Sequence, residues 1–401
     1  MPTAPRLIVL LLIYAAFVSM GLPDGILGAA WPQMRAEFAL NLNDNWPMLA
    51  LGTCGSAISS LLSGIALRRL GVGRVLVITA FVTGCAILGY TFSATFALIS
   101  GLAFFLGLGS GAIDAGLNNF VAQNLSSRHM SWLHACWGVG ISLGSLMVSG
   151  VLAAGGTWRS AYLVVGSVQL ALSVAFLLSR RALPSAPPPA AHDEARTQPG
   201  VCATLGLPAA WAGMAAFFVY CGLECSAGLW IASLLHNGRG WSLEAAGLMA
   251  TLYWGSLTVG RFLIGTISQR LPSIRIVRAG VGGAAVGTTL IALSSAGLGE
   301  PASGILTAFG LLLTGASLAP IFPMLMHDTP RSVGPAHAVN LIGFQGASGQ
   351  LGFTLLPIAS GTWLRVYSTE WLGAILMLLA LALLVLVAAR ERAIVAATRV
   401  S

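Results

Sequence analysis

The sequence predicts an all-α membrane protein with twelve transmembrane helices in two six-helix, pseudo-symmetric bundles. Three observations predict this class. Of the 401 residues, 56% are hydrophobic and only 8% are charged, whereas soluble domains carry about 25% charged residues. The chain also divides into twelve long apolar runs, and its second half repeats features of its first. This composition argues against a soluble enzyme, a nucleic-acid-binding protein and a disordered scaffold.

The apolar runs are long enough to cross a bilayer as helices. A spanning helix needs about 20 apolar residues, so twelve spans use roughly 240 residues and leave the rest for loops. The period-2 alternation of a membrane β-barrel is absent. In the first half the predicted helices are 7–31, 46–67, 75–94, 98–123, 130–154 and 159–179. In the second half they are 208–235, 243–268, 276–296, 302–326, 336–361 and 371–389.

A segment of different composition separates the two halves. Residues 180–207 are rich in proline and include Asp193 and Glu194. Such a composition does not bury a core and is typical of a solvated linker. We therefore expect an N-terminal bundle at 1–179, a cytoplasmic linker at 180–207 and a C-terminal bundle at 208–401.

The arginines predict the orientation. All 20 basic residues are arginine, and the formal net charge is +8. If the N-terminus is cytoplasmic, fifteen arginines lie on the inner side and four lie outside, which is the bias that cytoplasmic loops show. The four outer ones are Arg35, Arg159, Arg239 and Arg365. We expect a multi-pass protein of a bacterial inner membrane with both termini in the cytoplasm.

The two halves share a weak repeat. GIALRRL at Gly64–Leu70 is followed 201 residues later by GTISQRL at Gly265–Leu271. With the same shift, Phe17 aligns with Phe218, and Asp24 comes within one residue of Glu224. Two six-helix halves joined by a long inner linker are typical of transporters built from parallel repeats.

Three acidic residues lie inside apolar spans, namely Asp24, Asp114 and Glu224. A charged side chain at mid-bilayer costs about 2.5–3.5 kcal/mol on insertion scales. We interpret the three as proton-coupling groups that face an interior cavity, where each can take a proton from one side and release it to the other. The alternative is structural, in which each acid caps a broken helix or neutralises Arg261.

Polar and aromatic residues near these acids are candidates for solute binding. Ser110, Asp114 and Asn118 are four residues apart and share a helix face. Aromatic rings can stack on a sugar while amides bind its hydroxyls, although each tryptophan alone is better explained by packing. His134 either relays a proton or anchors its helix. The candidates are Asn118, His134, Trp137, Tyr220, Trp254, Asn340 and Gln345.

Four arginines are candidates for gating, namely Arg68, Arg69, Arg261 and Arg270. Arg261 lies inside a span, where snorkelling or a gate-closing ion pair is favoured over substrate contact. The six cysteines form neither a disulfide framework nor a metal pattern. No arrangement of catalytic residues stands out, so we expect no enzyme activity and no metal.

Three stretches resemble a known family. They are GLGSGAIDAGLNNFVAQN at Gly107–Asn124, MSWLHACWGVGISLG at Met130–Gly144, and the pair Trp254–Gly265 and Ser317–Met324. They resemble the major facilitator superfamily, and within it the fucose permease and its relatives. The resemblance implies the major facilitator fold. It also implies that Asp24 corresponds to a first-helix aspartate linked to proton coupling, and Asp114 to a fourth-helix acid linked to sugar and proton binding.

The chain also departs from the superfamily in ways that bear on function. The superfamily's inner-loop signature has an aspartate between its glycines, where this chain has Arg68. Drug–proton antiporters of the superfamily usually carry a Gly-Pro pair in the fifth helix and an arginine in the fourth. Neither is found here, which argues against export.

These observations together predict a proton-coupled symporter of a small polar solute, with a sugar as the favoured class. It would work by alternating access. The alternatives are a proton-driven antiporter that exports drugs or metabolites, and a transporter-like sensor. The expected partners are the solute, protons and the lipid bilayer, without nucleic acid, and the expected state is a monomer. The expected energy source is the proton gradient, without a cofactor.

Overall fold

A computed structural model describes residues 7–40, 44–179, 199–295, 299 and 302–400. The described residues form helices and connecting turns, with no strand among them. The first six helices are α1 (Leu7–Glu37), α2 (Trp46–Leu70), α3 (Val72–Phe92), α4 (Phe96–Asn124), α5 (Ser127–Ala153) and α6 (Trp158–Ser179). The others are α7 (Val201–Leu205), α8 (Pro208–Ser233), α9 (Leu243–Ile267), α10 (Ser273–Ser294), α11 (Ala302–Leu318), α12 (Ile321–Val333), α13 (Pro335–Val366) and α14 (Leu372–Val400).

The helices pack into two compact units. Unit 1 contains Met1–Asn124, Trp132–Gln198 and Ile342–Ala347. Unit 2 contains Leu125–Ser131, Pro199–Leu341 and Ser348–Ser401. Each unit therefore includes a short stretch of helix that is continuous with the other half of the chain. Most of the predicted linker, residues 180–198, lies outside the described residues.

The prediction of an all-α membrane fold is confirmed. Within the described part of the chain, ten helical segments are long and apolar enough to cross a membrane, and α11 with α12 counts as one of them. Helices α9 and α13 have 25 and 32 residues, which exceeds the length of about 20 residues that a span needs. With the ten segments, they make up the twelve spans expected of this fold.

The tenth span differs from its prediction. We expected one helix over 302–326, whereas the chain forms α11 and α12 with a break at Ala319 and Pro320. Proline has no amide hydrogen, and its ring crowds the preceding turn. Backbone groups freed in this way are tolerated within a membrane only where neighbouring groups satisfy them. The break therefore needs polar partners, which the structure supplies from α8.

The first and fifth helices approach each other closely in unit 1. A Cβ atom built on Gly140 of α5 would collide with the carbonyl oxygen of Val18 and with the Cα of Gly21. Gly21 in turn has no room for a side chain beside the Trp137 carbonyl. Since small residues let helix backbones approach, this contact fixes the part of α1 that carries Asp24.

Arginine side chains tie helix ends together in both units. In unit 1, Arg159 pairs with Glu37 at 2.5 Å and donates to the carbonyl oxygen of Thr91 at 2.7 Å. In unit 2, Arg239 pairs with Glu370 at 3.0 Å and donates to the Ser295 hydroxyl at 3.0 Å. Two of the four predicted outer arginines thus hold helix ends. The hydrogen bond from Arg159 lowers the pKa of Glu37 below its usual value.

Candidate functional site

Asp24 lies on α1 against the fifth helix. Its side chain is exposed, and Trp137 Nε1 donates to Asp24 Oδ2 at 3.2 Å. Pro23 precedes it inside the helix. The indole is a neutral donor, and no arginine or histidine forms an ion pair with Asp24 among the described residues. The two predicted site residues Asp24 and Trp137 are therefore in direct contact.

A second acid in unit 1 belongs to a chain of three polar side chains. Asn118 Nδ2 donates to Asp114 Oδ1 at 2.9 Å, and Asn118 Oδ1 lies 3.0 Å from His134 Nε2. Because an amide oxygen can only accept, His134 Nε2 must be the donor in this arrangement. Phe17 packs edge-on against the imidazole, with ring centroids 5.3 Å apart. The structure thus brings three predicted site residues together across α4 and α5.

Residues of α13 that belong to unit 1 reach the same acid. A Cβ atom built on Gly346 would lie 3.8 Å from Asp114 Oδ2. The neighbouring Gln345, a predicted solute-binding residue, is 1% exposed. The half-buried Asp114 carboxyl is therefore surrounded by neutral groups, and the described residues provide no ion-pair partner for it.

The acid of unit 2 is in a different environment. Arg261 NH2 lies 3.2 Å from both carboxylate oxygens of Glu224. Each of the two residues is 3% exposed. This is a buried ion pair between α8 and α9, and it matches the structural alternative that the sequence left open for Glu224. Removing one partner of such a pair leaves an uncompensated buried charge.

Two tyrosines form hydrogen bonds around the ion pair, and one of them also reaches the break in the tenth span. Tyr220 accepts a hydrogen bond from Arg261 NH2 at 3.3 Å and donates to the carbonyl oxygen of Leu318 at 3.2 Å. Tyr253 donates to the backbone oxygen of Glu224 at 2.8 Å. The sequence pointed to Tyr220 but missed Tyr253, whose only signal was its position beside Trp254.

The remaining candidates for solute binding in unit 2 are Trp254, which packs edge-on against Tyr253 with ring centroids 5.3 Å apart, and Asn340. Trp254 is half-buried and packs against Gly228, where a Cβ atom would meet its indole ring. Asn340 Nδ2 donates to the carbonyl oxygen of Pro199 at 3.1 Å and to Thr204 Oγ1 at 3.2 Å. Asn340 thus anchors the short helix α7.

Of the four candidate gating arginines, Arg261 forms the ion pair with Glu224. Arg68 is half-buried, whereas Arg69 and Arg270 are exposed and form no ion pair within the described ranges. In the repeated motif of unit 2, Gln269 donates to the Ser126 hydroxyl at 2.8 Å. Ser127 donates to the Ser268 hydroxyl at 3.1 Å. Neutral hydrogen bonds therefore join the end of α9 to the segment 125–131.

The acids of the two units differ in the charges of the groups that they contact. Within the described residues, no group of three or more histidine, cysteine, aspartate or glutamate side chains could bind a metal ion. The carboxyls of unit 1 contact only neutral donors, so each can exist in both protonation states without leaving a cation unpaired. The carboxyl of unit 2 forms an ion pair with Arg261.

Comparison with known proteins identifies the family. The sequence profile of the Major Facilitator Superfamily matches residues 13–345. A cis,cis-muconate transport protein of Acinetobacter baylyi is 23% identical over 379 residues, which cover 86% of each chain. Bypass of stop codon protein 6 of Saccharomyces cerevisiae is 22% identical over 277 residues, or 63% of this chain. The match spans 56% of the length of that yeast protein.

Solved structures share the fold at low identity. The fucose:proton symporter of E. coli superposes with a TM-score of 0.78 and 14% identity, covering 96% of this chain and 99% of that one. A proton:xylose symporter superposes with a TM-score of 0.71 and 14% identity, covering 94% of each chain.

Proposed function

This chain belongs to the Major Facilitator Superfamily and is a multi-pass membrane transporter, and on that premise we propose that it couples solute uptake to the proton gradient. The proposal is a symporter of a small, polar, uncharged solute that works by alternating access as a monomer. Its membrane would be a bacterial inner membrane, with both termini and the linker in the cytoplasm.

Proton coupling is assigned to Asp24 and Asp114. The supporting observation is that Trp137 and Asn118, both neutral, are their hydrogen-bond partners. A carboxyl with such partners gains or loses a proton without breaking an ion pair. The sequence also predicted Glu224 as a proton-coupling group. In the structure, however, Glu224 forms an ion pair with Arg261. We therefore propose that Glu224 has a structural role.

The side chains near the acids of unit 1 favour an uncharged solute. Asn118, His134 and Trp137 offer amide, imidazole and indole groups, which can bind hydroxyls and stack on a sugar ring. The buried cation Arg261 is already neutralised by Glu224. A carboxylate solute would therefore have to displace Glu224 from Arg261.

The membrane potential is sufficient as an energy source. Moving one elementary charge across 100 mV corresponds to about 2.3 kcal/mol. A tenfold change in an equilibrium constant corresponds to about 1.4 kcal/mol, so one proton supports accumulation of roughly fifty-fold. A single coupling acid is enough for this, and a second one would allow a steeper gradient.

The test is a flux measurement with purified protein in liposomes that contain a pH-sensitive dye. When a pentose or hexose is added outside, we expect the lumen to acidify as the sugar enters. Movement of protons in the opposite direction would replace symport by antiport. Solute-dependent quenching of tryptophan fluorescence without any flux would indicate a sensor.

A second candidate is a carrier of organic acids. Arg261 Nε is buried and has no acceptor among the described residues, and the bacterial relative is named for transport of cis,cis-muconate. The same liposomes therefore receive muconate in a parallel experiment. Saturable uptake of muconate, with no response to sugars, would favour this candidate over an uncharged solute.

A further inference from the structure

A cavity in unit 2 lies away from the candidate site. Its volume is about 680 Å³, and it lies between α10 and α14. This volume falls within the range of about 300–1,000 Å³ that is typical of small-molecule sites. The lining consists of six apolar residues and three charged ones, namely Val281, Leu384, Val387, Ala388, Val395, Ala396, Arg278, Glu391 and Arg392.

The charged part of the lining is cationic. Arg278 pairs with Glu391, but the Arg278 side chain remains 66% exposed. Arg392 is exposed, and no acceptor among the described residues binds it. Arg275 lies one turn before Arg278 on α10 and is also exposed. The lining itself has two arginines against one glutamate, which leaves a net charge of +1, and Arg275 adds a further positive charge on the same helix.

The apolar part of the lining is open to the surroundings of the protein. Leu384 and Val395 are 44% and 51% exposed. On a helix that spans a bilayer, exposed apolar side chains contact lipid. The cavity therefore joins an apolar wall that can hold an acyl chain to arginines near the helix ends.

We propose that this cavity binds an anionic phospholipid. The arginines Arg278 and Arg392 would hold the phosphate and headgroup, and the wall formed by Val281, Leu384 and Val395 would hold an acyl chain. Basic pockets between transmembrane helices bind anionic headgroups in this way. A small soluble anion does not explain the apolar wall, and a zwitterionic lipid does not explain the net positive charge. The site is independent of the solute and of the proton-coupling acids.

The test is native mass spectrometry of the full chain in detergent, titrated with phosphatidylglycerol or with phosphatidylcholine of the same acyl chains. We expect phosphatidylglycerol to bind more tightly. Each arginine near an anionic group contributes about fivefold in affinity, so Arg278→Gln with Arg392→Gln should weaken phosphatidylglycerol binding about 25-fold. Arg365→Gln is the matched control, because Arg365 is also exposed but does not line the cavity.

A second variant gives the opposite expectation. Glu391→Gln frees Arg278 from its partner and should tighten phosphatidylglycerol binding about fivefold. This variant keeps the test decisive if the double arginine variant does not fold. Unchanged binding in both variants would overturn the proposal, and so would equal affinity for the two lipids. Displacement of the lipid by soluble glycerol 3-phosphate at similar concentrations would show a free-anion site and would also overturn it.

Discussion

The acids of the two units differ in what compensates their charge. In unit 1, Asp24 and Asp114 contact an indole and an amide. In unit 2, Glu224 contacts a guanidinium through both oxygens and is buried with it. Glu224 is fully buried together with its counter-ion, whereas Asp24 is exposed and Asp114 is half-buried, and neither has a counter-ion among the described residues. This difference supports the proposal that the acids of unit 1 couple protons and that the acid of unit 2 has a structural role.

The ends of the units show a related contrast. In each unit an arginine binds an acid together with backbone or hydroxyl groups at a helix end. In unit 1 the acid, Glu37, ends α1 and the arginine, Arg159, begins α6. In unit 2 the arginine, Arg239, follows α8 and the acid, Glu370, precedes α14. The two units therefore have an equivalent ion pair, but the acid and the arginine have exchanged places. A residue-by-residue alignment of the two halves does not reveal this.

The largest expected effect concerns the buried pair. Glu224→Gln or Arg261→Met alone should destabilise the protein by about 3–5 kcal/mol, because the remaining partner becomes an uncompensated buried charge. The double variant should recover most of the loss. Thermal unfolding in detergent measures both effects. If Glu224→Gln lowered stability no more than Asp114→Asn, the contrast between the two units would be lost.

The next prediction concerns transport. Asp114→Asn keeps a group of the same shape but cannot accept a proton, so proton-driven uptake should fall about 100-fold, or about 2.7 kcal/mol. Solute exchange without a pH gradient should be retained, and so should the melting temperature. Glu244→Gln is the control, because Glu244 is an exposed acid in the first turn of α9. Wild-type uptake in Asp114→Asn would exclude Asp114 from coupling.

A smaller effect is expected at the contact between α1 and α5. Gly140→Ala places a Cβ atom against the Val18 carbonyl, and overpacking of this kind costs about 1–3 kcal/mol. On the same helix, Gly150 has open space around its Cα. Gly150→Ala should therefore leave stability unchanged or raise it by up to about 1 kcal/mol. Equal melting temperatures for the two variants would show that α1 can move without cost.

The smallest effect concerns Glu37. Because its pKa is lowered in the folded state, its ionisation stabilises the protein above the ordinary pKa of 4.5, and this contribution is lost as the pH falls through the lower folded-state value. Glu37→Gln should therefore lower the melting temperature at pH 7 but not at strongly acidic pH. A partly exposed pair contributes at most about 1 kcal/mol. A deficit that persists in acid would point to lost packing instead.

Several features of the site could be predicted from the sequence because they depend on local pattern. Helical spacing places Asp114 and Asn118 on one face, and the structure shows their hydrogen bond. Apolar context identified Asp24, Asp114 and Glu224 as unusual. The prediction of one helix over 302–326 did not include the helix end that forms before Pro320. The partners Tyr253 and Leu318 were missed, because neither has a chemical signal along the chain.

The sequence by itself determined the class of the protein, most of its helices, and the places of Asp24, Asp114 and Glu224 inside apolar segments. These follow from apolar length and from the cost of placing a charge in hydrocarbon, which are properties of segments. Only the tertiary structure decided which acid has a cation. Arg261 is 37 residues from Glu224, and Trp137 is 113 residues from Asp24. Such contacts depend on which faces of two helices meet, and that is set by packing rather than by the sequence of either helix alone.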